Sequence, residues 1–276
     1  MAAFPLDAIL QKLSEIAPLR LAESWDNVGL LIGDRRRSID RVMTCLTITP
    51  EVVDEAVQRR VGLVVAHHPM PFKPLTRITS DSTTGKMVLD LIAGGVAVYS
   101  AHTAFDSAAG GINAMWAEFL GLKNVRPLDL IPESQDESIG AGRYGVLAEP
   151  TTDDALSKRV AALVNAPRCR VVKSFARHTS MVTKVAIACG SGGGLLAAAK
   201  RRGCDAMVTG EATFHTCLEA QACGVSLLLV GHFHSERFAM VRLAATLGQQ
   251  LADLDVFASQ LDVDPLKDLL SEESKH

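Results

Sequence analysis

The fold is decided by the stretch Gly62-Leu63-Val64-Val65-Ala66-His67-His68-Pro69, or GLVVAHHP. Its first five residues are apolar without a break, which is typical of a strand buried on both faces of a parallel sheet. Parallel strands need long crossover connections, usually helices, so the stretch predicts an α/β fold. The two histidines that follow put polar side chains at the end of this strand.

The rest of the chain alternates short β-branched strands with amphipathic helices, as an α/β fold requires. Predicted helices span 5–17, 50–60, 84–93, 111–120, 153–165, 195–202, 214–222 and 236–251. Predicted strands span 42–48, 62–66, 96–100, 144–148, 168–172, 184–189, 206–209, 226–230 and 256–258. Residues 123–142 break the alternation with two prolines, a polar run and a Gly-Ala-Gly segment, and we interpret them as an inter-domain linker.

The composition excludes several classes of protein. Apolar residues make up 48% of the 276-residue chain, which allows a sizeable core and excludes disorder for most of it. No run of ~18 apolar residues is present, so we expect no membrane span. The first ten residues lack a basic region before an apolar one, so we expect no secretory signal and a cytoplasmic protein. The net charge of −3 gives no basic footprint for nucleic acid, and the six scattered cysteines predict reduced thiols rather than disulfides or a zinc ribbon.

Histidines and carboxylates follow four of the predicted strands, at the sheet edge where open α/β folds bind ligands. They are His67, His68, His102, Asp106, Glu211, His215, His232, His234 and Glu236. Consecutive side chains of a strand point to opposite faces, so His67 and His68 serve one site only if the strand has turned, which Pro69 favours. His232 and Glu236 are four residues apart and share a face if a helix begins near His232.

Five of these residues combine three imidazoles with two carboxylates: His67, His68, Asp106, His232 and Glu236. The set exceeds what one closed tetrahedral site requires. It favours two divalent ions with a bridging carboxylate and open positions, which is a catalytic arrangement. The alternative is that the motifs lie at separate sites or cap helices, and Asp106 alone could cap the helix that follows it.

In their order along the chain, the motifs resemble those of the NGG-interacting-factor-three-like family, also known as type 2 GTP cyclohydrolase I homologues. The matching segments are 22–30 (AESWDNVGL), 66–69 (AHHP), 99–106 (YSAHTAFD), 209–211 (TGE) and 231–237 (GHFHSER). The resemblance implies two α/β domains with mixed sheets: a metal-binding domain from residues 1–125 with 228–276, and a second domain from residues 126–227. It also implies a metal site at strand carboxyl ends in the cleft between them, and a ring-shaped homohexamer.

The resemblance assigns roles to individual residues. It implies that His67, His68, Asp106, His232 and Glu236 hold two divalent metal ions, with Glu236 as the bridging ligand. It places His102 and His215 near the metals, where they would orient a ligand or donate a proton. The linker is too short for the inserted domain that some relatives carry, so we expect the compact form.

The activity that the resemblance implies is that of a metal-dependent hydrolase acting on a nucleotide-like or other phosphate-containing small molecule. A metal-bound hydroxide would be the nucleophile, and with GTP it would attack C8 of the purine. A phosphoesterase on the same centre is one alternative, and a non-enzymatic metal-binding scaffold or regulatory protein is another. The residues suit zinc, iron, manganese or nickel alike.

The sequence also contains three features whose roles have two interpretations or depend on the fold. Trp25-Asp26-Asn27 would either line the entrance of the site or close a turn before Gly29. The glycine-rich run 190–194 would either hold a phosphate or form a tight turn, and it lacks the spacing of dinucleotide and Walker motifs. We expect His234, two residues beyond His232, to face away from the ligands.

Overall fold

The computed structural model describes residues 3–131, 136–177 and 179–267. The middle of the predicted linker (132–135) and the end of the predicted metal-binding domain (268–276) lie outside the described residues. The fold is mixed α/β with two large mixed sheets, as predicted.

Strands and helices alternate along most of the described chain. The strands are β1 (Phe4–Pro5), β2 (Gly29–Ile32), β3 (Ser38–Ile39), β4 (Arg41–Cys45), β5 (Leu63–Ala66), β6 (Ala97–Ser100), β7 (Lys123–Arg126), β8 (Asp129–Leu130), β9 (Gly140–Ala141), β10 (Arg143–Thr152), β11 (Arg170–Val172), β12 (Met181–Ala188), β13 (Ala206–Thr209), β14 (Ser226–Leu229) and β15 (Asp255–Ala258). The α-helices are α1 (Leu6–Ile16), α2 (Pro50–Gln58), α3 (Thr83–Ala93), α4 (His102–Ser107), α5 (Ile112–Phe119), α6 (Asp153–Leu163), α7 (Leu196–Arg201), α8 (Phe214–Cys223) and α9 (His232–Gln250).

The five-stranded sheet has the order β15-β4-β5-β6-β2. Strands β15, β4, β5 and β6 are parallel, and β2 closes one edge in antiparallel orientation. Strand β15 comes from the far end of the chain, so this sheet draws on both ends of the described sequence. The carboxyl ends of β5 and β6 therefore lie side by side, which brings the segments that follow them together.

The six-stranded sheet has the order β11-β14-β13-β12-β10-β7. Its three central strands β12, β13 and β14 are parallel, and the outer strands are antiparallel to their neighbours. Strand β14 lies wholly in this sheet, and the chain then passes directly into α9. The exits of β12, β13 and β14 thus form a second row of parallel strand ends.

One large apolar core joins the two sheets. It contains the inner faces of both sheets and buried residues of α1, α5, α6 and α9. The outer face of the five-stranded sheet packs on α2 and α3, and the outer face of the six-stranded sheet packs on α7 and α8. Because a close-packed protein interior deforms little, this shared core holds the two rows of strand ends at fixed positions relative to each other.

Side-chain caps explain where several helices begin. Thr49, Ser82, Thr152 and Thr213 each accept a hydrogen bond from a backbone N–H in the first turn of α2, α3, α6 and α8 respectively. Such caps satisfy donors that have no partner inside the helix. None of the helices in the described ranges is both long and apolar enough to cross a membrane.

The structure differs from the sequence-based expectations at several places. Strand β2 and helix α4 were not predicted, because the first is a four-residue edge strand and the second has only six residues. Residues 123–142, predicted as a linker, contain β7, which pairs with β10, and the β8–β9 ribbon. Helix α9 begins at His232 rather than at Glu236, so both residues belong to its first turns.

Candidate metal centre

Two histidines leave the end of β5 where its backbone turns. The N–H of His67 donates to the carbonyl of Cys45 at 3.0 Å, and that of His68 to Leu46 at 2.9 Å. In a regular parallel ladder alternate residues, not consecutive ones, donate to the same neighbour, so the strand has turned here. The His67 and His68 rings consequently lie on one side, with centroids 5.1 Å apart.

Two more imidazoles complete a cluster of four. The ring of His102 lies 5.1 Å from that of His67 and 5.6 Å from that of His68, centroid to centroid. The ring of His232 lies 5.3 Å from that of His68. His102 starts α4 with φ +28°, a backbone conformation that is costly for a residue with a side chain. Such strain persists only where the surroundings hold it, and here it turns the imidazole into the cluster.

Three of the histidines have one nitrogen already occupied. The Nδ1 atom of His68 lies 2.7 Å from Thr47 Oγ1, that of His102 lies 2.8 Å from Asp26 Oδ1, and that of His232 lies 2.9 Å from Glu211 Oε1. The Glu236 and Glu211 carboxylates raise the pKa of His232 to about 9, so a metal ion that binds there would displace a proton. A carboxylate engages Nδ1 of both His102 and His232, so Nε2 is the nitrogen left to bind a metal. This is the outer partner that metal-bound histidines in proteins usually have.

His67 has no such partner. It is 2% exposed, and neither of its ring nitrogens has a hydrogen-bond partner in the described part of the chain. Burial lowers the pKa of His67 to about 3, so the ring is neutral and able to donate a lone pair. A buried polar group left unpaired costs about 1–3 kcal/mol, a cost that a bound metal ion would remove.

The Glu236 carboxylate lies at the centre of the cluster. Its Oε2 is 3.2 Å from His68 Nε2 and 3.1 Å from His232 Nε2, and its Oε1 is 3.8 Å from His67 Nε2. The Oε2 contacts are close but lack the angles of hydrogen bonds. Burial alone would raise the pKa of Glu236, yet the surrounding imidazoles lower it below its ordinary value. The carboxylate is therefore ionised and available to cations.

Asp106 contributes the second carboxylate. Its Oδ1 lies 3.8 Å from His67 Nε2 and accepts a hydrogen bond from the Cys189 thiol at 3.3 Å. The side chain is 24% exposed and lines the cleft above the cluster. Burial, followed by the negative charge of Glu236, raises the pKa of Asp106 to about 8. The charge of Glu236 thus disfavours ionisation of Asp106, and divalent cations bound beside the two carboxylates would relieve that repulsion.

A glycine makes the close packing around Glu236 feasible. Gly190 has φ +59°, and a Cβ at this position would lie 2.1 Å from Glu236 Oε1 and 3.2 Å from His232 Nε2. Its N–H donates to Ser235 Oγ at 2.9 Å, which joins the end of β12 to the start of α9. The glycine-rich run thus forms a wall against the carboxylate, contributed by the six-stranded sheet.

The structure brings all five residues predicted as ligands into one cluster, together with His102. Two groups of side chains offer ligand atoms that lie within 4.8 Å of one another: His67 with His68 and His102, and His68 with His232 and Glu236. Imidazole nitrogens beside carboxylate oxygens suit zinc, iron, manganese and nickel. The donor set therefore fits divalent transition metals, while the assignment of each ligand remains a prediction.

His215 and His234 lie apart from this cluster. His215 is exposed on α8, and its ring meets that of Phe214 edge-to-face with centroids 5.9 Å apart. Within the described residues no ring contact joins it to the other histidines. His234 points Nε2 at Asp264 Oδ2, 3.5 Å away. The role predicted for His215 thus has no support in the geometry of one chain.

Sequence reasoning did not assign the carboxylates and the hydroxyl that orient the histidines. Glu211 follows β13 in the Thr209-Gly210-Glu211 motif, and this position was the available signal. Asp26 was read as a residue of either a turn or the entrance, and it binds His102 and Thr103. Thr47 gave no sequence signal, because a threonine after a strand is common.

A cleft of about 650 Å³ opens above the cluster. Its lining includes the exposed rings of Trp25 and Phe72, and Ser191, Gly192, Gly194 and Leu195 of the glycine-rich segment and its continuation. The floor is formed by imidazoles and carboxylates of the cluster. A small molecule can therefore reach the candidate metal centre from solvent.

Comparison with known proteins agrees with this picture. Residues 5–265 match the family model described as Duf34/NIF3 (NGG1p interacting factor 3). A GTP cyclohydrolase 1 type 2 homolog from Clostridium perfringens is 31% identical over 95% of this chain and 98% of its own length, and NIF3-like protein 1 of Drosophila melanogaster is 35% identical over 98% and 91%. The crystal structure of a Bacillus cereus protein related to NIF3 superposes with a TM-score of 0.87 at 23% identity, covering 98% of this chain and all of that one. The chain belongs to the DUF34/NIF3 family.

Proposed function

We propose that this chain is a metal-dependent hydrolase with a dinuclear divalent-metal centre, held by His67, His68, Asp106, His232 and Glu236. The observation that carries the proposal is the His67 imidazole, which is buried, neutral and unpartnered between two carboxylates. Polar groups in protein interiors are nearly always satisfied, so this ring needs an electrophile that the chain itself does not provide.

The arrangement of Glu236 supports two ions rather than one. Its two oxygens face different partners: Oε1 faces His67, and Oε2 faces His68 and His232. Asp106 lies on the His67 side. A carboxylate between two groups of donors is suited to bridge two cations, and bound divalent ions would supply Lewis acidity and a water of lowered pKa.

The residues of the chain have separate tasks in such a reaction. His102 is held by Asp26 with its Nδ1 engaged, so Nε2 is the atom that would accept a proton from the attacking water and then pass it to a leaving nitrogen or oxygen. The same geometry allows His102 to serve as a further ligand beside His67 and His68. Glu211 and Thr47 fix the rings of His232 and His68 and so limit their motion during reaction.

The names of the relatives and the size of the cleft support one proposed class of substrate. Relatives from several bacteria carry the name GTP cyclohydrolase 1 type 2 homolog. The cleft is large enough for a nucleotide and has aromatic, metal-binding and glycine-rich surfaces. A nucleotide such as GTP, or another phosphate-containing small molecule, is therefore the proposed substrate. Assembly into a homohexamer and a cytoplasmic location remain proposals from the family resemblance, and light scattering coupled to gel filtration tests the first.

The test combines metal analysis with a substrate screen. Metal-replete protein is assayed for bound ions and for turnover of GTP and a panel of phosphoesters, beside Asp106→Ala and Glu236→Ala. The controls Asp253→Ala and Glu219→Ala remove carboxylates that are exposed and lie outside the cluster. Metal-dependent turnover that is lost in both cluster variants and kept in both controls supports a hydrolase.

The other outcomes separate the remaining functions. Turnover of phosphoesters but not of GTP would identify a phosphoesterase on the same centre. Stoichiometric metal without turnover of any substrate class would refute the hydrolase and favour a metal-binding scaffold or regulatory protein.

A further inference from the structure

Two large aromatic side chains at the mouth of the cleft are left open to solvent. Trp25 is 61% exposed and Phe72 is 51% exposed, whereas the second tryptophan of the chain, Trp116, is fully buried in the core. Both exposed rings line the cleft that leads to the histidine cluster. Exposed aromatic surface is unfavourable in water, so a paired occurrence at a binding cleft indicates a contact with ligand.

The exposure of Trp25 and Phe72 does not come from a loose loop. Asp26, next to Trp25, accepts hydrogen bonds from the N–H of Thr103 at 3.1 Å and from its hydroxyl at 2.5 Å. Asn27 donates through Nδ2 to the carbonyl of Pro71, the residue before Phe72, at 2.8 Å. The backbone beside each ring is therefore pinned, and the two pinned segments are tied to each other.

The rings stand directly beside the candidate metal centre. The centroid of Trp25 lies 6.0 Å from that of His102, and the centroid of Phe72 lies 6.2 Å from it, both in edge-to-face orientation. The centroids of Trp25 and Phe72 are 6.2 Å apart, with planes tilted by 52°. A third ring stacked between them would need about 7 Å, twice the optimal carbon separation. The platform is therefore one exposed face of Trp25, with the tilted ring of Phe72 beside it.

We propose that Trp25, with Phe72 beside it, stacks a planar heteroaromatic ring of the ligand and so holds it next to His102. The class of ligand is a nucleobase or a similar heterocycle, because an indole face interacts best with another flat π-system. The pinned backbone lowers the entropy lost on binding, since the platform is formed before the ligand arrives. The inference deepens the proposed function by naming the part of the substrate that is recognised, but the stacking itself requires no turnover.

The chain offers a direct spectroscopic test. Trp25 and Trp116 are its two tryptophans, and Trp116 is inaccessible, so quenching of tryptophan fluorescence by a stacking ligand reports on Trp25. Metal-loaded full-length protein is titrated with GMP and with ribose 5-phosphate, which carries the same phosphate without the base. We expect GMP to quench the fluorescence and to bind at least about tenfold more tightly than ribose 5-phosphate.

Two variants make the test specific. Trp25→Ala raises the Kd for GMP about tenfold in isothermal titration and leaves that for ribose 5-phosphate unchanged. Trp25→Phe keeps a flat face and a Kd near that of the parent protein, while the quenching disappears because only Trp116 remains. The inference is overturned if Trp25→Ala binds GMP as the parent does, if GMP binds no better than ribose 5-phosphate, or if acrylamide fails to quench Trp25 because another surface covers it.

The outcome is separable from that of the proposed function. Protein that stacks GMP through Trp25 but hydrolyses no GTP supports the platform and counts against the hydrolase. Protein that hydrolyses a phosphoester, but binds GMP as tightly in Trp25→Ala as in the parent, overturns the platform and leaves the hydrolase intact.

Discussion

Substitution of Gly190 by alanine tests whether the position of Glu236 determines metal binding. The new Cβ would lie 2.1 Å from Glu236 Oε1, whereas ordinary contacts begin at 3.4 Å. The carboxylate would therefore have to retreat by about 1.3 Å, or the backbone would have to move by a similar amount. Functional constellations tolerate displacements of only about 0.5 Å, so we expect the dissociation constant of the bound metal to rise at least about tenfold.

Gly190→Ala also carries a backbone cost that the assay must separate from the effect on metal. The φ of +59° costs a residue with a side chain about 1–2 kcal/mol, so the free energy of unfolding of the metal-free protein falls by that amount. Metal affinity is measured by competition with a chromophoric chelator, and stability by denaturant unfolding. The matched control is Gly194→Ala, in the same glycine-rich segment, since a Cβ at that position has no atom within 4 Å. A Gly190→Ala protein that binds two ions with parental affinity would refute the reasoning.

Three further predictions concern the groups around the centre. Glu211→Ala removes the partner of His232 Nδ1, and we expect about a 10- to 100-fold loss of metal affinity. The exposed control Glu219→Ala should show no loss. Equal metal affinities in the two variants would show that Glu211 does not orient His232 for metal binding. We expect a chelator to lower the Tm measured by calorimetry, because metal at about 100 times its Kd stabilises the folded protein by about 2.7 kcal/mol. A Tm that does not change with chelator would contradict a tightly bound ion. Arg143→Met removes a buried guanidinium that donates hydrogen bonds to the carbonyls of Gly140, Gly142, Ser107, Ala108 and Ser138. We expect the free energy of unfolding, measured by chemical denaturation, to fall by at least about 3 kcal/mol, and to change little in the exposed control Arg36→Met. A fall of less than about 1 kcal/mol would contradict this prediction.

The sequence predicted those parts of the fold that depend on local pattern. Buried strands such as β5 and β13 are continuous apolar runs, and amphipathic helices such as α1 and α5 have clear periodicity. Strand β2 is partly exposed along its length and gains its structure from pairing with β6. The β7–β10 pair likewise depends on pairing between separate segments, and β8 and β9 have only two residues each, too few for a local pattern to show.

The candidate site shows the same division. Residues directly after strands were identified, because strand direction fixes which ends meet. The partners of their imidazoles were not, since Asp26 is 76 residues from His102 and Glu211 is 21 residues from His232. Proximity of His215 to Gly210 and Glu211 in sequence was equally uninformative, because the start of α8 turns that residue outward to solvent.

We propose that one cluster of side chains holds two divalent metal ions. Anomalous diffraction from crystals of metal-replete protein, recorded at the absorption edges of zinc, iron, manganese and nickel, tests it most directly. We predict two anomalous peaks per chain, surrounded by the side chains of His67, His68, Asp106, His232 and Glu236. Glu236 should contact both peaks. Less than about one ion per chain, or peaks that lie away from His67 and Glu236, would contradict it.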